Sequence, residues 1–572
     1  MLKYDLPVED VQAVFNGIVS LDDVLALPGY EHCDRETADA VVEAIGRYAK
    51  EVLLPLNQIG DRTGAKLDAN AVKAAPGFRQ AYEIFCDDGW NGLPLELADG
   101  GQQLPFLLHA VLRESMASAN LAFALIHELN FGIYEVLQAH GSKHLQDTYM
   151  PKLAHGRWAG TMCLTEPHCG TDLGLIRTAA RPLADGTYAL RGDKIFITWG
   201  DHDMSENIVH LVLARVDGAV AGTQGLSLFI VPKFLPTADG KPGAANGVSP
   251  VGVENKMGLH GSPTCAINFD DSRGWIVGEA GRGLAGMFIM MNAARLSVGL
   301  QGLGIAETAF QNARAYAEER LQGRGPDGAE RPDEIADPLI VHPDVKRRIE
   351  IMSAEVKTAR ALCYWGASLL DRSHRAPDAQ TRASALAWIS SLTPILKSYV
   401  SELGSRAAHE AVQMYGGHGY VKDHGVEQLS RDVRITEIYE GTNAIQAIDL
   451  VIRKLRKSNG ETMFQIIDEV ETCAEETGNA SLGRAASRLR RVTEYMLRTS
   501  ARDALSKAAY FLDLCAITLC AMMAQRLAKA TAGDETVLDT YVQHVLPRTL
   551  SLAAMIEGQD DCIPVARAED VA

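Results

Sequence analysis

The stretch ITEIYEGTNAIQ, residues 435–446, closes a longer run, AVQMYGGHGYVKDHGVEQLSRDVRITEIYEGTNAIQ (411–446). It sets one carboxylate, Glu440, between an aromatic, Tyr439, and a glycine, Gly441, with Glu437 and Asp432 as its nearest acidic neighbours. Taken alone, Glu440 reads as a helix-entry acid, since a carboxylate near a helix N-terminus gains up to about 1 kcal/mol from the helix dipole. The other reading is a base held against a substrate. The rest of the chain decides between them.

Upstream of this stretch the pattern changes three times. Residues 1–34 read as a short extension. Residues 35–157 have helical periodicity, as in TADAVVEAIGRYAKEVLLPLNQ, where Pro55 closes or kinks the helix, and in the long apolar run from Leu104 to Gly141. Residues 158–281 carry short runs such as TYALRGDKIFITWG, IVHLVLARV and GLSLFIVPK, rich in Val, Ile, Thr and Phe between turn residues, which predict a small β domain. Helical periodicity returns over 282–456, broken by RGPDGAERPDEIADP, and continues through an Ala- and Leu-rich segment, 457–572. The fold class expected is α+β, in the order helices, strands, helices, further helices.

The 572 residues, 47% hydrophobic, suffice for several buried cores. A net charge of −18 and a pI of about 5.4 argue against binding nucleic acid or an anionic membrane. Ten cysteines without a CxxC pair point away from a zinc or iron–sulfur site and toward free thiols in a reducing cytoplasm. The start, MLKYDLPVEDVQ, lacks a basic region followed by an apolar run, and no 18-residue apolar span stands out elsewhere, so neither secretion nor membrane insertion is expected. Five arginines, at 484, 488, 491, 498 and 502, fall on one helical stripe. With 12 Lys and Arg against 17 Asp and Glu in its segment, that stripe reads as a solvated face rather than a nucleic-acid grip. His260 and His418 sit in glycine-rich stretches without ligand spacing to a second His or Cys, and no metal site is expected.

Two stretches of the predicted β domain suit a flat ligand with polar edges. MCLTEPHCGTDLG (162–174) gathers Thr165, Pro167, Gly170 and Thr171 on a bend, and GDKIFITWG (192–200) puts Phe196 beside Thr198 on one strand face. Each alone is equally well an ordinary turn or a half-buried strand.

In this order, and followed by ENKMGLHGSPTCAINFDD (254–271), GEAGRGLAGMFIMMNAARLSVGLQGLGIAETAFQNARAYAEER (278–320) and the run at 411–446, the chain resembles the flavin-dependent acyl-CoA dehydrogenase family over about residues 40–456. The extra segment is similar to that of a long bacterial subgroup that includes 3-methylmercaptopropionyl-CoA dehydrogenases. The resemblance implies an N-terminal helical domain, a β-barrel-like middle domain and a C-terminal four-helix domain, with FAD bound between the last two. Met162, Leu164 and Thr165 match the loop on the flavin ring, and Thr171 a Ser/Thr that meets cofactor or substrate. Phe196 stands where a Trp is usual beside the flavin, and Thr198 matches the hydroxyl at its edge. Arg320 matches an arginine on the FAD pyrophosphate of a neighbouring subunit, Gln413, Gly416 and Gly417 the segment at its adenosine end, and Thr442 a threonine on the pyrophosphate. Asn292, Arg295, Tyr439 and Gly441 fall at substrate-side positions, with Met290 and Met291 as further candidates. His168 and Cys169 replace a usual Gly-Ala pair, Asn292 replaces an Asp common in medium-chain enzymes, and LQGRG after Arg320 departs from the family pattern.

By the same resemblance the reaction is α,β-dehydrogenation of an acyl-CoA, with the α-proton passing to Glu440 and the β-hydride to flavin N5. Candidate substrates are 3-methylmercaptopropionyl-CoA and short-, medium- or long-chain fatty acyl-CoA, and electrons pass to electron-transfer flavoprotein. A carboxylate of pKa about 4.3 becomes a useful base in an apolar, water-poor pocket, and hydrogen bonds to the thioester oxygen stabilise the enolate that forms. Some members carry the base just before the arginine matched by Arg295. Ala294 stands there and cannot take a proton. An oxidase using oxygen and a nucleic-acid-binding flavin relative are the alternatives. A shared cofactor site implies a homodimer, and the segment 457–572 is expected to cover the face that would build a tetramer.

Overall fold

The computed structural model describes residues 2–558, so Cys562 and the end of the segment 457–572 lie outside the described residues. The described chain divides into two compact units, one of residues 2–8, 25–313 and 404–436, the other of 9–24, 314–403 and 437–558.

The first unit begins with helix Arg35–Tyr48, capped by Asp34, whose carboxylate accepts from the Thr37 amide. The helix widens into a π-helical turn over Ala49–Leu53 before helix Leu54–Thr63. Pro55 sits in the first turn of that second helix, where its missing N–H is tolerated. Helix Phe106–His140 is interrupted at Asn120 (φ −161°, ψ 87°), whose side-chain oxygen accepts from the Phe123 amide and restarts it.

Seven strands of one sheet follow: β1 Trp158–Cys163, β2 Ala179–Pro182, β3 Tyr188–Thr198, β4 Asn207–Val216, β5 Leu226–Pro232, β6 Val248–Val253 and β7 Thr264–Val277. β7 pairs with β3, β3 with β2, β2 with β4, β4 with β5, and β5 returns to β7. These pairings form a closed ring of five strands, the barrel the resemblance implied, with β1 and β6 added on β4 and β7. β7 can serve three neighbours, β3, β5 and β6, because it is fourteen residues long. The side chains alternate accordingly. Val212, Ala214, Phe229, Val231, Ile267 and Phe269 fill one core. Val209, Leu211, Leu213, Leu228 and Ile230 face another, shared with Tyr134 and Leu153 from the helical layer and with Trp158 of β1. Burial on both faces explains why β4 and β5 read as apolar runs rather than alternating ones.

In the second unit the extension is a packed element. Helix Val8–Gly17 buries Val11, Val14 and Phe15, sets Phe15 against Tyr364 and gives Asp10 to Lys357 and Arg360. Helix Ala508–Ala530 is buried nearly all round by Pro343–Arg375, Glu461–Thr477, Ala480–Arg498, Thr536–His544 and Arg548–Glu557. By length and composition this helix and Gly283–Glu319 could each cross a membrane, against the expectation of no such span; 78% and 56% of their most apolar windows are buried inside the protein. A helix apolar on every side serves equally as the core of a helical layer. The arginine stripe is engaged within its own segment, with Arg488 donating to Thr549 and Arg491 paired with Glu557.

Candidate active site

The loop matched to the flavin ring, Met162–Thr165, leaves the end of β1 and is tied from beneath. Lys194, fully buried on β3, donates to the Leu164 carbonyl at 2.9 Å and to Glu166 Oε1 at 2.9 Å. Glu166 also accepts from the Thr178 hydroxyl (2.6 Å) and the amides of Arg177 (2.8 Å) and Thr178 (3.0 Å). Burial alone would raise the Glu166 carboxyl, but the Lys194 charge and these donors outweigh it and hold it below its ordinary value. Burial lowers the Lys194 ammonium against the pull of Glu166. The Ile195 amide adds a backbone bond to the Thr165 carbonyl at 2.9 Å. Neither Lys194 nor Glu166 was a candidate in the sequence, since a Lys and a Glu 28 positions apart carry no local sign of pairing.

Phe196 comes next on β3, and the strand is bulged there. Ile197 faces Cys265 while Lys194 faces Ile267, so one extra residue is inserted between them. Phe196 takes the left-handed conformation (φ 59°) and is 59% exposed. A bulge turns a side chain away from the alternation of its strand, so buried Lys194 and exposed Phe196 point to different sides although two residues apart. Thr198, half-buried, ends the strand. Thr171 is exposed; His168 lies 2.9 Å from the Leu175 carbonyl and Cys169 is buried. Ligand-type atoms of Glu166, His168 and Cys169 fall within 4.8 Å of one another. The Glu166 charge is already taken by Lys194 and Thr178, and we read this group as a locked turn.

Also in the first unit, Arg295 is buried with a guanidinium N–H 3.4 Å from Asn292 Oδ1. Met290 is buried in the core, where a Cβ on Gly132 would meet its Cγ at 2.5 Å, while Met291 is half-buried. Gln413, Gly416 and Gly417 are exposed, and Gly416 needs its positive φ of 58°. His418 stacks on His424 at 4.7 Å, and His260 bridges the carbonyls of Asp61 and Lys256.

Glu440 lies in the second unit on a bend, half-buried, with φ 57°. A left-handed Glu is uncommon and costs about 1–2 kcal/mol, so the surroundings must hold it. Gly441 continues the bend at φ 86°, a conformation glycine adopts freely. The fully buried Gln446 side chain donates to the carbonyls of both Glu440 (3.0 Å) and Gly441 (3.3 Å). Thr442 then caps helix Asn443–Ile448 by accepting from the Ile445 amide. Asn443 anchors that helix, accepting from buried Lys397 at 2.9 Å and donating to Glu402 at 2.9 Å. Glu440 is therefore no first-turn helix acid: it precedes the cap and is held in place by Gln446. Tyr439 beside it is half-buried. Arg320 is exposed, with no side-chain partner among the described residues.

Acyl-CoA dehydrogenase N-terminal, middle and C-terminal domain profiles match residues 35–157, 161–272 and 281–455. The chain belongs to the acyl-CoA dehydrogenase family and is an FAD-dependent oxidoreductase acting on acyl-CoA thioesters. It is similar to 3-methylmercaptopropionyl-CoA dehydrogenase of Ruegeria pomeroyi, 41% identical over 490 residues, which are 85% of this chain and 83% of the relative. Butyryl-CoA dehydrogenase of Syntrophomonas wolfei is 32% identical over 487 residues, 82% of this chain and 78% of that one. The fold is like that of an acyl-CoA dehydrogenase from Bacillus anthracis complexed with FAD, with a TM-score of 0.73 over 93% of this chain and 90% of that chain at 22% identity. The first unit's residues fit a flavin: an exposed Phe196 beside a braced loop is the surface a planar ring needs.

Proposed function

We propose that Glu440 is the base of an α,β-dehydrogenation whose preferred substrate is a short acyl-CoA, foremost 3-methylmercaptopropionyl-CoA. The observation that carries the reading is the left-handed Glu440–Gly441 bend clamped by Gln446. Strained backbone of this kind persists where the surroundings over-determine it, which is the situation of a residue that must aim one group. Glu440 would take the α-proton at its carboxylate. FAD, when bound, supplies the acceptor for the β-hydrogen and its electron pair. In the first unit the loop Met162–Thr165 with Phe196 and Thr198 would seat the flavin ring, and Thr171, Asn292 and Arg295 are substrate-side candidates; in the second unit Tyr439 and Gly441 are the candidates beside Glu440. The substrate class rests on the two curated relatives, one acting on 3-methylmercaptopropionyl-CoA and the other on butyryl-CoA. A thioether sulfur is apolar and polarizable enough to take the place of a methylene in such a site.

Arg320, Gln413, Gly416 and Gly417 are exposed, which leaves them open to serve the cofactor of a second copy, with Thr442 as a further candidate for the pyrophosphate. We therefore propose a homodimer of about 124 kDa, twice the 61.9 kDa chain, in the cytoplasm, passing electrons to electron-transfer flavoprotein. Nine free thiols among the described residues accord with a reducing compartment.

Turnover on a panel of acyl-CoAs with an artificial acceptor tests the substrate, with 3-methylmercaptopropionyl-CoA and butyryl-CoA expected to exceed palmitoyl-CoA in kcat/KM. Glu440→Gln keeps shape and removes basicity, so it should bind acyl-CoA and lose about 10²–10⁴-fold in turnover. Near-parental turnover would assign the base elsewhere. Reoxidation by oxygen alone at the turnover rate would favour the oxidase. Light scattering on the FAD-loaded protein reads the assembly, and a mass of four chains would exclude the dimer.

A further inference from the structure

The second unit holds a cavity of about 790 Å³ that the dehydrogenation does not use. Three helices present one face each to it. Pro343–Arg375 gives Trp365, Ser368, Leu369 and Arg372, spaced three, one and three apart on a single stripe. Glu461–Thr477 gives Glu469, Cys473 and Glu476, and Ala508–Ala530 gives Arg526 and Lys529. Trp388 from Ala379–Tyr415 and the turn after helix Val8–Gly17 complete the wall. Gly17 approaches so closely that an added Cβ would stand 2.0 Å from Ala530 Cβ.

Stripes that meet between helices are normally apolar and interdigitate at close-packed density. Here three facing stripes carry indole, hydroxyl and charged groups, and the volume between them is within the range of small-molecule sites. Trp365 and Trp388 lie edge to face, ring centroids 5.7 Å apart at 79°, an arrangement a third ring can extend. Trp388 is oriented by its indole N–H, which donates to Gln465 Oε1 at 3.1 Å. Arg526 stands 6.0 Å from the Trp365 ring and is paired with Glu469. Arg372 and Lys529 have no salt-bridge partner among the described residues, and Glu476 is the carboxylate likewise left over. Three cations against two carboxylates leave the lining with a net charge of +1.

We propose that this cavity is a second ligand site, for a small aromatic anion that stacks on the Trp365–Trp388 pair and gives its negative group to Arg372 and Lys529. A nucleoside phosphate and an aromatic carboxylate share that chemistry, and the test separates them. AMP and benzoate are titrated into the FAD-loaded protein while tryptophan emission is followed, with no acyl-CoA present, since its adenosine phosphate would compete. Adenosine and inorganic phosphate serve as ring-only and charge-only probes. Saturable quenching by AMP, by benzoate or by both, largely lost in Trp388→Phe, is expected. An Arg372→Ala/Lys529→Ala variant should bind about tenfold or more weakly, since it loses charged hydrogen bonds, while FAD content and acyl-CoA turnover stay at the parental level. Lys529 is exposed, so Lys529→Ala alone serves if the double variant does not fold. Absence of quenching by either anion, equal binding of adenosine and AMP, or unchanged affinity in the cation variants would overturn the proposal.

Discussion

Replacing Lys194 by Met keeps the length of the side chain and removes the cation under the Met162–Thr165 loop. Three consequences follow from the geometry. Glu166, 3% exposed, keeps its charge but loses the partner at 2.9 Å. The Leu164 carbonyl loses its donor. Three donors remain on Glu166, the Thr178 hydroxyl and the amides of Arg177 and Thr178. Deleting one partner of a buried pair costs about 3–5 kcal/mol. The surviving donors place this case at the low end, and the lost bond to Leu164 adds about 1 kcal/mol. The expected loss is thus about 4 kcal/mol, read as a lower urea midpoint at unchanged slope, with weaker FAD retention because the loop is no longer braced. Without its cation, Glu166 is left with burial pushing its pKa up. A carboxyl whose folded pKa is raised contributes stability at low pH and loses it as pH rises, so the variant should stand closer to its parent at pH 5 than at pH 8. Lys194→Met/Glu166→Gln removes the stranded charge and should recover at least half of the loss. A single variant with the parental midpoint and FAD content, or a double variant no more stable than the single, would refute the idea that this pair positions the loop.

Gly441→Ala places a side chain at φ 86°, with its Cβ 3.0 Å from Gln446 Nε2; about tenfold lower kcat at unchanged FAD content is expected, and full activity would show that the bend tolerates a side chain. Arg320→Ala should weaken FAD retention more than it slows chemistry, because a guanidinium suits a pyrophosphate by paired bonds, and flavin absorbance after gel filtration reads it. Burial pushes the Asp432 carboxyl up to about 6 against bonds from the Leu259 amide and Gln428. Its contribution to stability is therefore full below about pH 4 and falls as pH rises through about 6. Asp432→Asn should flatten urea midpoints across that interval, and an unchanged slope would assign the pH dependence to other groups.

Much of the chemistry was legible in the chain. Gly441 is a local sign of the bend that carries Glu440, because glycine adopts left-handed backbone freely, while the reading of Glu440 as a base comes from the resemblance of the whole run 411–446 rather than from its two neighbours. The change from helical to β patterning near residue 158, and back near 282, is local for the same reason, since the period of the apolar residues follows the element that buries them. The five-strand closure, the bulge that exposes Phe196, the Lys194–Glu166 lock and the packing of residues 9–24 in the second unit were decided only in three dimensions. Each depends on partners far apart in sequence, and a charged or aromatic residue reads as surface or core according to neighbours that no local window contains. Lys194 is the clearest instance: buried charge is tolerated only where a counter-charge and donors meet it, and what brings Glu166 and Leu164 there is strand pairing rather than anything in GDKIFITWG itself.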